Sequence, residues 1–156
     1  MFEIDKDASN STGLTISDVT IDGGSSQTST GPIIKAEKGR VRTQKGAKLI
    51  NNKINDNHET DEDKNNINTA SAIDISGTAS LDMNYGEITG NTGRSGSAVS
   101  FNGSSFKVSN TVKITGNKLL VPGSQPGNPA EKDANVKLGA GKVIKVGEDL
   151  GGDSSH

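Results

Sequence analysis

Apolar residues recur at every second position in short bursts along this chain. The bursts include "FEI" (2–4), "LTI" (14–16), "IKA" (34–36), "IDI" (73–75), "LDM" (81–83), "VSF" (99–101) and "FKV" (106–108). Alternation with period two places one set of side chains on one face of a strand and the next set on the other. Gly, Asn, Asp and Ser gather between the bursts, where turns are needed. No stretch sustains the 3.6-residue period of a useful amphipathic helix. The pattern predicts many short strands and no long helix.

The bursts also repeat. "ITGN" occurs at 88–91 and again at 114–117, each time after an alternating run, and "LINN" stands at 49–52. Five units align, each reading strand, turn, strand, turn, short strand, loop. The alignment predicts stacked inward columns: Phe2, Ile34, Ile73, Val99 and Val136; Ile4, Ala36, Ile75, Phe101 and Leu138; Leu14, Val41, Leu81, Phe106 and Ile144. Two more follow: Ile16, Thr43, Met83, Val108 and Val146; then Ile21, Leu49, Ile88 and Ile114. Thr43 is the polar exception. One unit could bury none of this surface, whereas stacking makes a continuous core. The steps from Leu14 to Val41, Leu81, Phe106 and Ile144 are 27, 40, 25 and 38 residues. Equal strands with unequal connections are the mark of a solenoid whose insertions leave at a corner. The two long loops, 53–70 and 118–134, both follow the third strand of a unit and are expected to leave one edge.

Asn52, Asn91 and Asn117 take equivalent places in this alignment, with Gly24 in the first unit. Asn and Gly tolerate left-handed backbone, which a sharp corner requires, and stacked Asn side chains can hydrogen-bond along the axis. These three are predicted to form a structural ladder. The outward columns carry charge: Glu3, Lys35, Asp74, Ser100 and Lys137; Thr15, Arg42, Asp82, Lys107 and Lys145; Thr20, Lys48, Glu87 and Lys113. The sign tends to alternate through the middle units, so each acid is expected to meet a base on the next rung. That neighbour should lower the carboxyl pKa.

Composition narrows the picture. Only 29% of residues are hydrophobic and 3% aromatic, yet net charge is just −2 and 20 glycines separate the patterned runs. This fits a thin core between many short strands rather than a disordered chain. There is no cysteine, so thiol chemistry and disulfides are excluded. No run approaches the ~18 apolar residues of a membrane helix, and membrane insertion is not expected. A pI near 5.7 and few stacking aromatics give no indication of nucleic acid. Met1 stands directly against strand-like "FEID". We expect one domain over 1–152, a tail at 153–156, and a longer parent protein.

The quoted units resemble a known family. "LTISDVTIDGG", "ASLDMNYGEITGN" and "SFKVSNTVKITGN" are similar to the repeats of right-handed parallel β-helix regions in large surface proteins of Gram-positive bacteria. "NVKLGAGKVIKVGEDLGG" (135–152) is similar to the sequence that often ends such an array. The second unit departs from the pattern, with "KLINN" for "ITGN", and the first carries the insertion "KDASNST". The resemblance implies an all-β, pectate-lyase-like right-handed parallel β-helix of about five short rungs. It further implies an extracellular place on the bacterial surface, often in adhesin-like proteins, with host or cell-surface glycans or proteins as partners.

Candidate chemistry is sparse. The same fold hosts polysaccharide lyases and glycoside hydrolases, so the fold does not decide activity. A lyase needs acids for calcium and a basic residue; a hydrolase needs two carboxyls about 5–10 Å apart. The strand acids Glu3, Asp74, Asp82 and Glu87 all align with bases, as ordinary surface pairs do. Glu59, Asp61 and Asp63, in the polar run "HETDEDKNN" (58–66), could gather round a cation, but their spacing matches no zinc or EF-hand pattern. Tyr85, the sole tyrosine, is a weak sugar-stacking candidate. Leu119 and Leu120 lie in "KLLVPGSQPGNP" and either fold back on a sheet or meet a partner. Solenoid ends carry unpaired strand edges that can self-associate. No cofactor is implied. The expected function is a non-enzymatic structural or adhesive segment; the alternative is a carbohydrate-active or carbohydrate-binding module.

Overall fold

The computed structural model describes residues 2–24, 29–54, 70–93, 98–120 and 131–147. Among these residues there are seventeen strands and no helix. The chain is an all-β parallel β-helix, with successive turns laid on one another in register. The first sheet stacks β1 (Phe2–Ile4), β4 (Ile34–Ala36), β7 (Ile73–Ile75), β11 (Val99–Phe101) and β16 (Val136–Leu138). The second stacks β2 (Gly13–Ile16), β5 (Arg40–Thr43), β8 (Ser80–Met83), β12 (Ser105–Val108) and β17 (Ile144–Val146). The third stacks β3 (Thr20–Asp22), β6 (Lys48–Ile50), β9 (Gly86–Thr89) and β13 (Val112–Thr115). Every pairing within these three sheets is parallel, and the inward columns read from the sequence coincide with the observed registers.

The reason is elementary. Each strand hydrogen-bonds to its equivalent one turn away, so residue i lies over its own homologue. A slip by one residue would turn a whole apolar set outward. Ile34, Ile73, Val99, Val41, Leu81 and Phe106 are all fully buried, and each such side chain contributes roughly 1.5–3 kcal/mol. Phe101 and Phe106 meet inside one turn with ring centroids 5.2 Å apart. Between them the chain passes through Gly103, where an added Cβ would lie 2.3 Å from the Ala79 carbonyl oxygen. Only glycine clears that corner. Thr43 is buried too, and its hydroxyl donates to the Tyr85 carbonyl at 2.6 Å. The polar exception is therefore satisfied by the corner of the next turn.

Burial fades towards both ends. Phe2 is exposed at one end; Leu138, Val143, Ile144 and Val146 are exposed at the other. The three central turns hold most of the core, which places the greatest resistance to local opening there.

A fourth, smaller ladder follows the third sheet. Ser29 bridges Ile54, Lys53 bridges Thr92, and β10 (Thr92–Gly93) pairs in parallel with β14 (Lys118–Leu120). The segment 118–134, expected as loop, thus begins as strand. It ends as strand as well: β15 (Glu131–Asp133) runs antiparallel to β14 and covers its outer edge. That reversal ends the parallel stacking on this ladder. Residues 55–69 and 121–130, which make up most of the two long connections expected to share an edge, lie outside the described residues.

At the corner entering this ladder, Asn52, Asn91 and Asn117 are almost fully buried. Asn91 Oδ1 accepts from the Asn52 main-chain N–H at 3.0 Å, and Asn117 Oδ1 accepts from the Asn91 N–H at 3.1 Å. Asn91 Nδ2 donates to the carbonyls of Leu49 and Thr89, both at 3.1 Å, and to Asn117 Oδ1 at 3.0 Å. The series continues one step beyond the sequence alignment, because Asn135 Oδ1 accepts from Asn117 Nδ2 at 3.0 Å. One expectation needs correction. Gly24 is left-handed as expected (φ 75°), but in the three asparagine units the left-handed residue lies one position earlier, at Asn51 (φ 57°), Gly90 (φ 68°) and Gly116 (φ 65°). The ladder asparagines are required for their amides: each satisfies main-chain groups that the corner would otherwise bury unpaired.

Asn91→Ala should therefore be far costlier than a change at the coil's end. We expect a loss on the order of 3 kcal/mol, because several buried groups lose their partners, against under about 0.5 kcal/mol for exposed Val146→Ala. Urea unfolding midpoints at unchanged slope measure both; comparable costs would contradict the ladder's role.

Candidate functional site

Strand periodicity gives each sheet an outer face, and the residues there decide what the coil can touch. On the first sheet the strand-borne charges are Glu3, Lys35, Asp74 and Lys137, two of each sign. On the third they are Asp22, Lys48, Glu87 and Lys113, again balanced. The second sheet differs. It carries Arg40, Arg42, Lys107 and Lys145 against Asp82 alone. The register puts Arg42, Asp82, Lys107 and Lys145 in one line along the coil.

Two residues further along these strands runs a second line, Gln44, Asn84 and Ser109. Asn84 Nδ2 donates to Gln44 Oε1 at 3.2 Å, and Asn84 Oδ1 lies 2.8 Å from Ser109 Oγ and 2.6 Å from Asn110 Nδ2. Between the charged line and the amide line lies an open groove of about 270 Å³, lined by Arg42, Gln44, Asp82, Met83, Asn84, Lys107 and Ser109. Asp82 is held by Arg40 Nε at 3.5 Å and by an Arg42 guanidinium nitrogen at 3.7 Å. Lys107 is exposed and joins no ion pair among the described residues.

The other strand acids behave unequally. Glu87 lies between Lys48 at 3.6 Å and Lys113 at 3.4 Å. Such partly exposed pairs contribute at most about 1 kcal/mol each, but they occupy the carboxylates. Asp74 departs from expectation. Lys35, its neighbour in register, turns instead to Glu3 at 3.1 Å and Glu37 at 2.9 Å, and those two hydrogen bonds raise the lysine's own pKa. Asp74 is left half-buried, with Ser100 on its other side. Burial pushes its carboxyl up to about 6, against a smaller lowering by Lys35 and a further raising by Glu37. The lowered pKa expected from the alignment is therefore reversed here: desolvation exceeds the attraction of a lysine engaged elsewhere.

The remaining candidates are scattered. Tyr85 is half-buried at the corner between β8 and β9. Leu119 is half-buried in β14, opposite Gly93 and Lys132, and Leu120 ends that strand. Glu59, Asp61 and Asp63 lie outside the described residues. Among the described residues no three His, Cys, Asp or Glu side chains gather as a metal site. The groove was not singled out in the sequence, although summing charge over each face, with Arg40 included, would have marked it.

The architecture defines a class, the parallel β-helix, with one positively charged outer face. No protein-family model, curated protein or solved structure matches the chain.

Asp74 generates a pH prediction. Below its ordinary pKa of 3.8 both folded and unfolded states hold the proton, so the group has no effect. From there to about 6 the folded state keeps the proton longer, and stability falls as pH rises. Above about 6 the whole cost is present. Asp74→Asn should therefore stabilise the protein at pH 8, on the order of 1–3 kcal/mol, and make little difference at pH 3.5. Thermal unfolding at both pH values checks this; an equal effect at the two would contradict it.

Proposed function

We propose that this chain is a non-enzymatic structural segment of an extracellular bacterial surface protein, presenting a sheet face or its corner loops for binding. The observation that carries the reading is the occupation of two central strand carboxylates. Asp82 and Glu87 are each shared between two cations, which removes them as free acids or bases. The rest of the strand surface is a regular lattice of side chains on a hydrogen-bonded coil, suited to holding a surface at fixed spacing. The surface location rests on the resemblance of the repeats to bacterial surface arrays.

The carbohydrate-active alternative is favoured by one residue. Asp74, with a pKa near 6, could hold or release a proton at neutral pH, as a general acid must. Its surroundings on the first sheet supply no second free carboxyl among the described strand residues, and Glu3 and Glu37 both engage Lys35.

The test is direct. The folded protein is incubated with pectin, other uronides and mucin glycans, with and without calcium, and products are followed by 235 nm absorbance and mass spectrometry. No turnover is expected. Turnover abolished by Asp74→Asn would overturn the non-enzymatic reading.

A further inference from the structure

We infer that the outer face of the second sheet binds an acidic glycan, a carboxylate-bearing sugar chain laid along the coil axis over the Arg42–Lys107 groove. The inference rests on the reading of the coil as a presenting surface and names the face and the chemistry.

Charge selects the face. The chain as a whole is acidic, with net charge −2, and the strands of the first and third sheets are balanced. Four cations against one carboxylate on the second sheet are thus a local excess, and two of those cations, Arg42 and Lys107, line the groove with Asp82. A basic groove on an acidic protein attracts and orients anions. Lys107 lies beside Asp82 in register, yet that carboxylate is held by Arg40 and Arg42. The ammonium is exposed for a ligand.

The lining selects the ligand. The line of Gln44, Asn84 and Ser109 supplies amide and hydroxyl groups that donate to and accept from sugar hydroxyls. Asp82, in the middle of the charged line, accepts hydrogen bonds from hydroxyls but repels closely spaced anions. Neighbouring strands lie about 4.8 Å apart, so the backbone positions of Arg42 and Lys107, two rungs apart, are separated by about 10 Å. A sugar chain with a carboxylate on alternate units can place its charges at that wide spacing, with hydroxyls over Asp82. A nucleic-acid strand carries a phosphate on every nucleotide, with no uncharged unit to lie over Asp82, and would set charge against that carboxylate. It would also find no aromatic side chain in the groove on which to stack a base.

The experiment uses the full chain and a hyaluronan decasaccharide as probe, with a neutral chitin oligosaccharide and a single-stranded DNA oligonucleotide alongside, measured by calorimetry at two salt concentrations. Hyaluronan should bind, more weakly at high salt, and better than either comparison ligand. Lys107→Glu should lower the affinity by roughly tenfold or more, with circular dichroism unchanged. Lys132→Glu, on exposed β15, should leave it unaltered. Binding that ignores Lys107→Glu, or DNA binding as tight as hyaluronan, would overturn the inference. So would no hyaluronan binding by the folded protein, an outcome that leaves the presenting-surface reading standing. Cleavage of hyaluronan would instead overturn that earlier reading.

Discussion

The structure depends on a single constraint: each turn hydrogen-bonds, in parallel and without slip, to the homologous residues of the turn before it. Side chains therefore repeat in columns. Every inward column is a piece of core, and every outward column is a line of like positions at rung spacing. The thin hydrophobic content of the chain suffices because stacking lets each apolar residue bury surface against two neighbours along the axis. It also explains the burial gradient, since the end turns lack one neighbour.

Corners are where this scheme is at risk, because the backbone leaves the sheets and its polar groups lose their regular partners. The chain answers with short ladders of its own. Asn52, Asn91, Asn117 and Asn135 bridge one corner, and Gln44, Asn84 and Ser109 mark another. The first ladder is buried and acts on the backbone. The second faces the groove, so the same device that ties the turns together also supplies polar groups to the surface.

The columns were legible in the sequence because two periods, alternation within strands and recurrence between units, agree on the same residues. Ile34, Ile73 and Val99 can be aligned by eye. What the sequence hid were choices made by side chains among several partners. Lys35 stands between Glu3 and Asp74 in register, but Glu37, in the turn just after its own strand, draws it away; no column lists Glu37. The residue in left-handed conformation could not be separated from its buried asparagine neighbour, since "NN" and "GN" favour a turn at either place. The antiparallel return of Glu131–Asp133 follows a long connection whose composition signals loop. The charge excess of the second sheet was already present in its outward column, three cations against Asp82, and Arg40, which no column included, adds a fourth.

The account therefore stands or falls on register in solution, and methyl-directed nuclear Overhauser spectroscopy tests it most directly. In-register stacking predicts simultaneous contacts between Ile73 and Val99, Leu81 and Phe106, and Ile88 and Ile114, one pair from each sheet. Cross-peaks that instead pair neighbouring strands of one turn as antiparallel hairpins, or that lack any of the three contacts in the folded protein, would contradict it.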